Sequence, residues 1–237
     1  RNMVGRRGFM SPLSNLLRAS GGGRKFVEAE LMKQQQPPAL YLSRLQDVNA
    51  RMRAILIDWL FLIAQERAVL FETVHVAANY LDRYLSRPEQ GTMSRSNLQL
   101  VGITCLSMAI DYEHADNYAI SDKRAAHYTD ATYTEEQVAT MRTQISCALG
   151  AARTVVTSRY LVSHELMRQR EAHGGFCGVA EVAAMYLCDL AVQHAAFLQF
   201  TPLTICASAV RVAWRIAVIG MPYKPLSADI SEKCEAE

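Results

Sequence analysis

The feature that most constrains the fold is an apolar helical stretch that contains one arginine and one aspartate. It reads Met52-Arg53-Ala54-Ile55-Leu56-Ile57-Asp58-Trp59-Leu60. Almost every face of such a helix carries a large side chain, which is unusual for a surface helix. Because burying an unpaired charge is costly, both charges need partners. The stretch therefore predicts a central core helix in which Arg53 and Asp58 pair with groups on neighbouring helices.

Composition and charge place the chain among globular proteins. Half of its 237 residues are hydrophobic and a fifth are charged, which is a globular balance, and the length suits one large domain or two of ordinary size. The net charge of +2 and the lack of a dense Lys/Arg stripe argue against nucleic-acid binding. Segment 197–219 is apolar, but Arg211 and Arg215 lie in its middle. Arginines at the centre of a bilayer are costly, so the segment predicts a buried helix and no membrane association.

The cysteines and the N-terminus bear on the compartment. The six cysteines form no C-x-x-C pair, and most lie inside apolar helical patterns. This pattern predicts buried thiols in a reducing compartment in preference to disulfides. The chain begins with Arg1 instead of a methionine, which we interpret as the start of a fragment, and its first twenty residues lack the apolar run of a signal peptide.

Helical periodicity extends over nearly the whole chain, with no convincing alternating strand, so the fold class is predicted to be all-α. Short helices are predicted near 26–33 and 40–45. Two sets of longer helices follow, near 50–66, 72–86, 94–112, 116–127 and 134–149, then near 154–170, 178–196 and 202–219. Thr134 with Gln137 matches a capping box, and Thr201-Pro202 is a strong helix start.

No group of residues indicates catalysis or a bound cofactor. The six histidines lack metal-ligand spacing, and His164-Glu165 is not followed by the second histidine of a zinc helix. The glycines at 21–23 are not followed by the Lys-Ser or Lys-Thr of a phosphate loop. We therefore predict no catalytic residue, no metal and no cofactor, and the protein is not expected to be an enzyme.

From Tyr41 to about residue 225 the chain resembles the cyclins, most closely the mitotic A/B type. The stretch from Met52 to Leu60 matches the MRAIL-x-DWL core of that family, and further matches follow in the family's order. They are Glu72–Ser86, Leu98–Thr104, Thr132–Thr134 and Ala184–Leu190. The resemblance implies tandem five-helix cyclin boxes, the second incomplete at the C-terminus. On that basis we divide the chain into an N-terminal segment with short helices (1–45), a first box (46–150) and a truncated second box (151–237).

One ion pair is expected to belong to the fold. In cyclins the arginine after the first methionine pairs with the aspartate of the D-R-Y/F-L-S helix, which implies a pair between Arg53 and Asp82. The residues themselves agree, because an arginine in an apolar helix can bind a carboxylate through two parallel hydrogen bonds. We interpret this pair as architecture.

A docking groove is the second expectation. Met52, Ile55, Leu56 and Trp59 recur at i, i+3, i+4 and i+7, so they share one helix face. Core packing explains such a face without any further function. The resemblance instead implies that these positions line a shallow groove for R-x-L peptides of substrates and inhibitors.

The rim of that groove departs from the family. Gln99 matches the groove glutamine of a neighbouring helix, but Leu62 stands where the family often has glutamate. Glu66, one turn further along, could meet an arginine of the ligand. We therefore expect weaker selection for the basic residue of the peptide.

The kinase-binding positions depart further. Cyclins carry a lysine in the third helix and a glutamate in the fifth, which together hydrogen-bond the kinase backbone. Here Asp111 replaces the lysine and Arg142 replaces the glutamate, so both signs are reversed. Glu113 matches the next acidic position of the third-helix motif and is assigned to the same surface. Ala151 stands where a phenylalanine would press on the kinase, and losing such an anchor weakens an interface.

Two interpretations of this reversal stay open. In one, the pair survives with its members exchanged, so that Asp111 orients Arg142 and Arg142 donates to kinase carbonyls. In the other, kinase binding has weakened or moved. We favour the exchanged pair, because independent loss would more often leave unrelated residues. On that interpretation, reversing either residue alone should weaken kinase binding more than reversing both.

The resemblance implies a regulatory subunit that binds and activates a cyclin-dependent protein kinase in cell-cycle control, acting in the nucleus and cytoplasm. Its groove would recruit R-x-L substrates or inhibitors. The alternative is a cyclin-fold interaction protein that binds partners without activating a kinase.

Overall fold

The computed structural model describes residues 31, 34, 36–87, 89, 93–113, 118–150, 153–173 and 178–217. Every regular element within these ranges is helical, in agreement with the all-α prediction. The chain divides between Val156 and Thr157 into two compact units. The predicted helix near 26–33 lies almost entirely outside the described residues.

Five α-helices lie between residues 36 and 150 of the first unit, within the part that the structure describes, and each overlaps a predicted helix. They are α1 (Ala50–Glu66), α2 (Phe71–Leu85), α3 (Leu98–Glu113), α4 (Asp122–Tyr128) and α5 (Glu135–Leu149). Short 3-10 helices at Tyr41–Arg44 and Arg95–Asn97 precede α1 and α3.

Side-chain caps set where these helices begin. Asn49 accepts a hydrogen bond from the backbone N–H of Met52, and the predicted capping box of Thr134 and Gln137 is confirmed. Ser121 caps α4 by accepting from the backbone N–H of Arg124, so α4 begins at Asp122, later than the predicted residue 116. Satisfying the otherwise unpaired first N–H groups in this way fixes a helix start locally.

The central helix of the first unit is α3, which packs against α1, α2, α4 and α5. All but three of its residues are buried. The prediction that α1 is the central core helix is therefore wrong. One side of α1 packs on α2 and α3, whereas its outer side exposes Ile55, Asp58 and Leu62. Asp58 was expected to need a partner, but its exposure leaves its charge in water.

A buried cluster joins the N-terminal part of this unit to α1 and α2. The Arg53 side chain donates from Nε to Oδ1 of Asp82 at 2.6 Å and from a terminal nitrogen to Oδ2 at 2.7 Å. The hydroxyl of Tyr41 donates to the same Oδ1 at 2.6 Å. All three residues are buried. Burial and the charge of Asp82 raise the pKa of Tyr41, so its hydroxyl keeps the proton that it donates.

The second unit contains α6 (Ser158–His173), α7 (Gly178–Gln193) and α8 (Pro202–Ala217), which pack against one another. Arg159 on α6 binds Asp189 on α7 at 2.6 Å. Thr201 accepts a hydrogen bond from the backbone N–H of Thr204 at 3.2 Å, which confirms the predicted start of α8. Within the described ranges, no helix has the length and apolar character needed to cross a membrane.

Four of the six cysteines lie within the described residues. Cys105, Cys188 and Cys206 are buried thiols, as predicted, whereas Cys147 is an exposed thiol. Burial raises the pKa of Cys105. Its thiol therefore behaves as a small apolar group in the core.

The close approach of α1 and α3 depends on Gly102. A Cβ built on this glycine would lie 2.7 Å from Cδ1 and 2.8 Å from Cδ2 of Leu56. Such distances are too short for carbon atoms in contact. The side chain of Leu56 thus fills the space that a larger residue at position 102 would need.

We predict that Gly102→Ala lowers the free energy of unfolding by ~1–3 kcal/mol, because it overpacks this contact. In an unobstructed helix the same change is stabilising by about 1 kcal/mol. Urea denaturation measures the difference. Adding Leu56→Ala should remove the penalty of the alanine at 102, and a single Gly102→Ala variant more stable than the parent would contradict the packing argument.

Candidate partner-binding surfaces

The two surfaces predicted from the sequence both lie in the first unit. One is the α3–α5 surface, made by Asp111 near the end of α3 and Arg142 in α5. A terminal nitrogen of Arg142 donates to Oδ2 of Asp111 at 2.7 Å. The two residues with reversed charges therefore meet in an ion pair, and their role in kinase binding stays a prediction.

A third charged residue, Asp122, belongs to this ion pair, and the sequence did not predict it. Arg142 also donates from Nε and from its second terminal nitrogen to Oδ1 of Asp122, at 3.0 and 2.7 Å. The sequence does mark Ser121-Asp122 as a possible helix start. Nothing local, however, indicates that the start of α4 lies beside the middle of α5.

Ser107 contacts Arg142 from the buried side of the site. It is fully buried on α3, and it accepts a hydrogen bond from Arg142 at 2.6 Å. Its own hydroxyl donates to the backbone carbonyl of Ile120 at 2.7 Å. Ser107 therefore ties the arginine to the segment that leads into α4.

Few groups of this site remain for a partner. A guanidinium carries five N–H donors, and the contacts of Arg142 with Asp111, Asp122 and Ser107 use four of them. The side chains of Arg142 and Asp111 are 26% and 42% exposed. The most accessible group is thus the carboxylate of Asp111, and one N–H of Arg142 is left beside it.

The other two kinase-binding predictions have different outcomes. Ala151 lies outside the described residues. Glu113 is only 6% exposed, and its Oε2 accepts a hydrogen bond from the hydroxyl of Thr73 at 3.3 Å. Burial, together with the charge of Glu72, raises the pKa of Glu113 to about 8. A direct contact between Glu113 and a kinase would require its side chain to leave this position.

The raised pKa predicts a pH dependence of stability. Below the ordinary pKa of 4.5 the Glu113 carboxyl is protonated in both the folded and the unfolded chain. The contribution of Glu113 to the free energy of unfolding is then fully present. Between 4.5 and about 8 the unfolded chain loses the proton while the folded chain keeps it, so stability falls as pH rises.

The test compares urea denaturation of the parent and Glu113→Gln at several pH values. The parent should lose a few kcal/mol more than the glutamine variant as pH rises through this window, because glutamine cannot ionise. A difference between the two proteins that does not change with pH would contradict the assignment.

The second surface lies on α1. Ile55 and Leu62, two turns apart, are 61% and 60% exposed. Met52 and Trp59 are partly exposed along the same side of the helix. These four residues form the α1 apolar stripe.

Of the other predicted groove residues, Leu56 is buried and packs at Gly102, so it supports the stripe from beneath. Gln99 is partly exposed on α3. Glu66 is exposed at the end of α1, where its Oε1 accepts a hydrogen bond from the hydroxyl of Tyr128 at 3.0 Å. An arginine of a ligand would compete with Tyr128 for this carboxylate.

Across the part of the chain that the structure describes, no three His, Cys, Asp or Glu side chains are grouped as a metal site would require. The chemistry available at both surfaces is hydrogen bonding, ion pairing and apolar contact.

Comparisons with known proteins agree with these features. Residues 24–152 match the cyclin N-terminal domain. Cyclin-A1-2 of Arabidopsis thaliana is 34% identical over 178 residues, which cover 74% of this chain and 39% of that protein. Cyclin-A1 of Homo sapiens is 33% identical over 183 residues, covering 77% of this chain and 37% of that protein. The chain thus spans about two fifths of the length of these curated relatives.

The fold has a similar solved structure. The X-ray structure of a viral cyclin from herpesvirus saimiri aligns with a TM-score of 0.68, covering 89% of this chain and 93% of that one. The sequence identity is 14%, so the likeness concerns the fold.

Proposed function

Because this chain belongs to the cyclin family and is similar to its A-type members, we propose that it is a non-catalytic regulatory subunit of a cyclin-dependent protein kinase in cell-cycle control. We place its action in the nucleus and cytoplasm. The observation that carries the proposal is the 2.7 Å ion pair between Arg142 and Asp111. It joins the two helices whose polar pair binds the kinase in the family that the sequence resembles.

The opposite charges of Asp111 and Arg142 favour a retained role in kinase binding over its loss. Two independent losses would more often leave residues with unrelated chemistry. Here both members changed to opposite charges that bind one another, and the carboxylate of Asp111 remains accessible. A partner can therefore still meet an acceptor and a donor side by side, with their positions exchanged.

Activation of a kinase by a regulatory subunit requires no reactive group on that subunit. The kinase supplies ATP, Mg²⁺ and the transfer of the phosphoryl group. A subunit activates by binding the active conformation of the kinase more tightly than the inactive one, which shifts the population between them. The α3–α5 surface would provide that difference in affinity.

The test is affinity purification followed by a kinase assay with and without the chain. We expect a cyclin-dependent kinase to co-purify and its rate to rise when the chain is added. Arg142→Ala should lower the activation, whereas Val182→Ser, an exposed apolar residue of the second unit, should leave it unchanged. Binding without any change in rate would favour an interaction protein that does not activate a kinase.

We further propose that the α1 apolar stripe binds R-x-L peptides of substrates or inhibitors. Two large apolar side chains in water are costly to leave exposed, and a ligand leucine that covers them removes that cost. The leucine at position 62 contributes apolar area where an acidic residue would contribute charge. The ligand's leucine therefore matters more here than its arginine.

Leu62→Glu tests this preference. The new carboxylate should raise the affinity for a peptide with arginine relative to one with alanine at that position by about two- to fivefold, which is the range of an exposed ion pair. Gln46→Glu is the matched control, because it adds the same charge at an exposed position outside α1. Fluorescence anisotropy with both peptides measures the ratio, and an equal effect of the two variants would contradict docking along the stripe.

A further inference from the structure

Asp122 makes the reversed pair a unit of three charged residues. Its Oδ1 receives two N–H groups of Arg142, whereas Asp111 receives one. Arg142 and Asp122 are both about three-quarters buried. An arginine that shares two N–H groups with one carboxylate oxygen is held in orientation as well as in place.

The position of Asp122 is itself fixed from two sides. Ser121 caps α4, so Asp122 is the first residue of that helix. The preceding residue, Ile120, is bound through its carbonyl to the buried hydroxyl of Ser107. Asp122 is therefore held by contacts of its chain neighbours as well as by Arg142.

We propose that Asp122 is a positioning residue that holds Arg142 for the kinase partner and fixes the reversed order of charges across the α3–α5 surface. This inference rests on the proposed function. A glutamate at position 142, as in the family pattern, would bring its carboxylate against that of Asp122. Like charges in such proximity repel, so Asp122 disfavours an anion at position 142.

The expectation from sequence changes accordingly. Asp111→Lys and Arg142→Glu were each expected to weaken kinase binding more than the double reversal does, but the double reversal leaves a glutamate beside Asp122. Recovery of kinase binding by the double variant requires a third change, Asp122→Asn. This change removes the opposing charge and keeps the size of the side chain.

The same geometry indicates what the partner presents. Asp111 is the most accessible group and offers only acceptors, so it fits a backbone N–H, a lysine or an arginine. The remaining N–H of Arg142 fits a carbonyl beside it. A kinase segment that meets this chain must place its donor towards α3 and its acceptor towards α5.

The experiment uses the full chain and the kinase that co-purifies with it, with Kd measured by calorimetry well below the unfolding midpoint of each variant. Asp122→Asn should weaken binding about three- to tenfold, because Arg142 loses its main charged partner. Asp47→Asn, which neutralises an exposed carboxylate elsewhere in the first unit, should leave Kd within twofold.

The second arm compares the double variant Asp111→Lys/Arg142→Glu with the triple variant that adds Asp122→Asn. The triple variant should bind more tightly than the double one. A double variant that fails to fold beside a folded triple variant would support the proposed order of charges, and the Kd of Asp122→Asn then decides the positioning role.

The outcomes separate the two proposals. If Asp122→Asn lowers the unfolding midpoint but leaves Kd within twofold of the parent, Asp122 acts only on stability and the inference is wrong. Equal affinities of the double and triple variants would also overturn it. A parent chain that binds no kinase would overturn the proposed function, and this inference with it.

Discussion

The first unit depends on the buried ion pair of Arg53 and Asp82, with Tyr41 as its third member. A buried charge is tolerated only when its partner is present and its remaining bonding sites are occupied. Removing Arg53 or Asp82 takes away the charged partner of the other, which stays buried. The cluster therefore joins the segment before α1, α1 itself and α2 as one arrangement, and it sets which side of α1 faces outward.

Much of the helical fold could be predicted because its signals are local. Helix bounds follow from periodicity and capping, as at Thr134 and Thr201, where each side chain acts on residues three positions away. The burial of α1 was misjudged for the opposite reason. An apolar pattern on all sides of a helix does not show which of its side chains other helices will cover. In this fold α3, and not α1, is covered on nearly all sides.

The candidate site likewise has contacts that could be predicted from the sequence and contacts that could not. The pairing of Asp111 with Arg142 could be predicted from a resemblance that supplied the facing positions of two helices. Asp122 could not, because its contact with Arg142 arises only when the start of α4 is placed beside α5. The burial of Glu113 was missed because a carboxylate near a helix end is ordinarily expected in water. In each case the missing information was tertiary packing.

The arginine shared by two aspartates also constrains the order in which this surface could have evolved. A chain with glutamate at position 142 that gained Asp122 would bring two carboxylates together between α4 and α5, at a cost in stability. A path on which Arg142 comes before Asp122, or together with it, avoids this cost. With Asp122 in place, a change of Arg142 to glutamate meets the same repulsion. The geometry of Asp122 therefore favours keeping the reversed arrangement of charges.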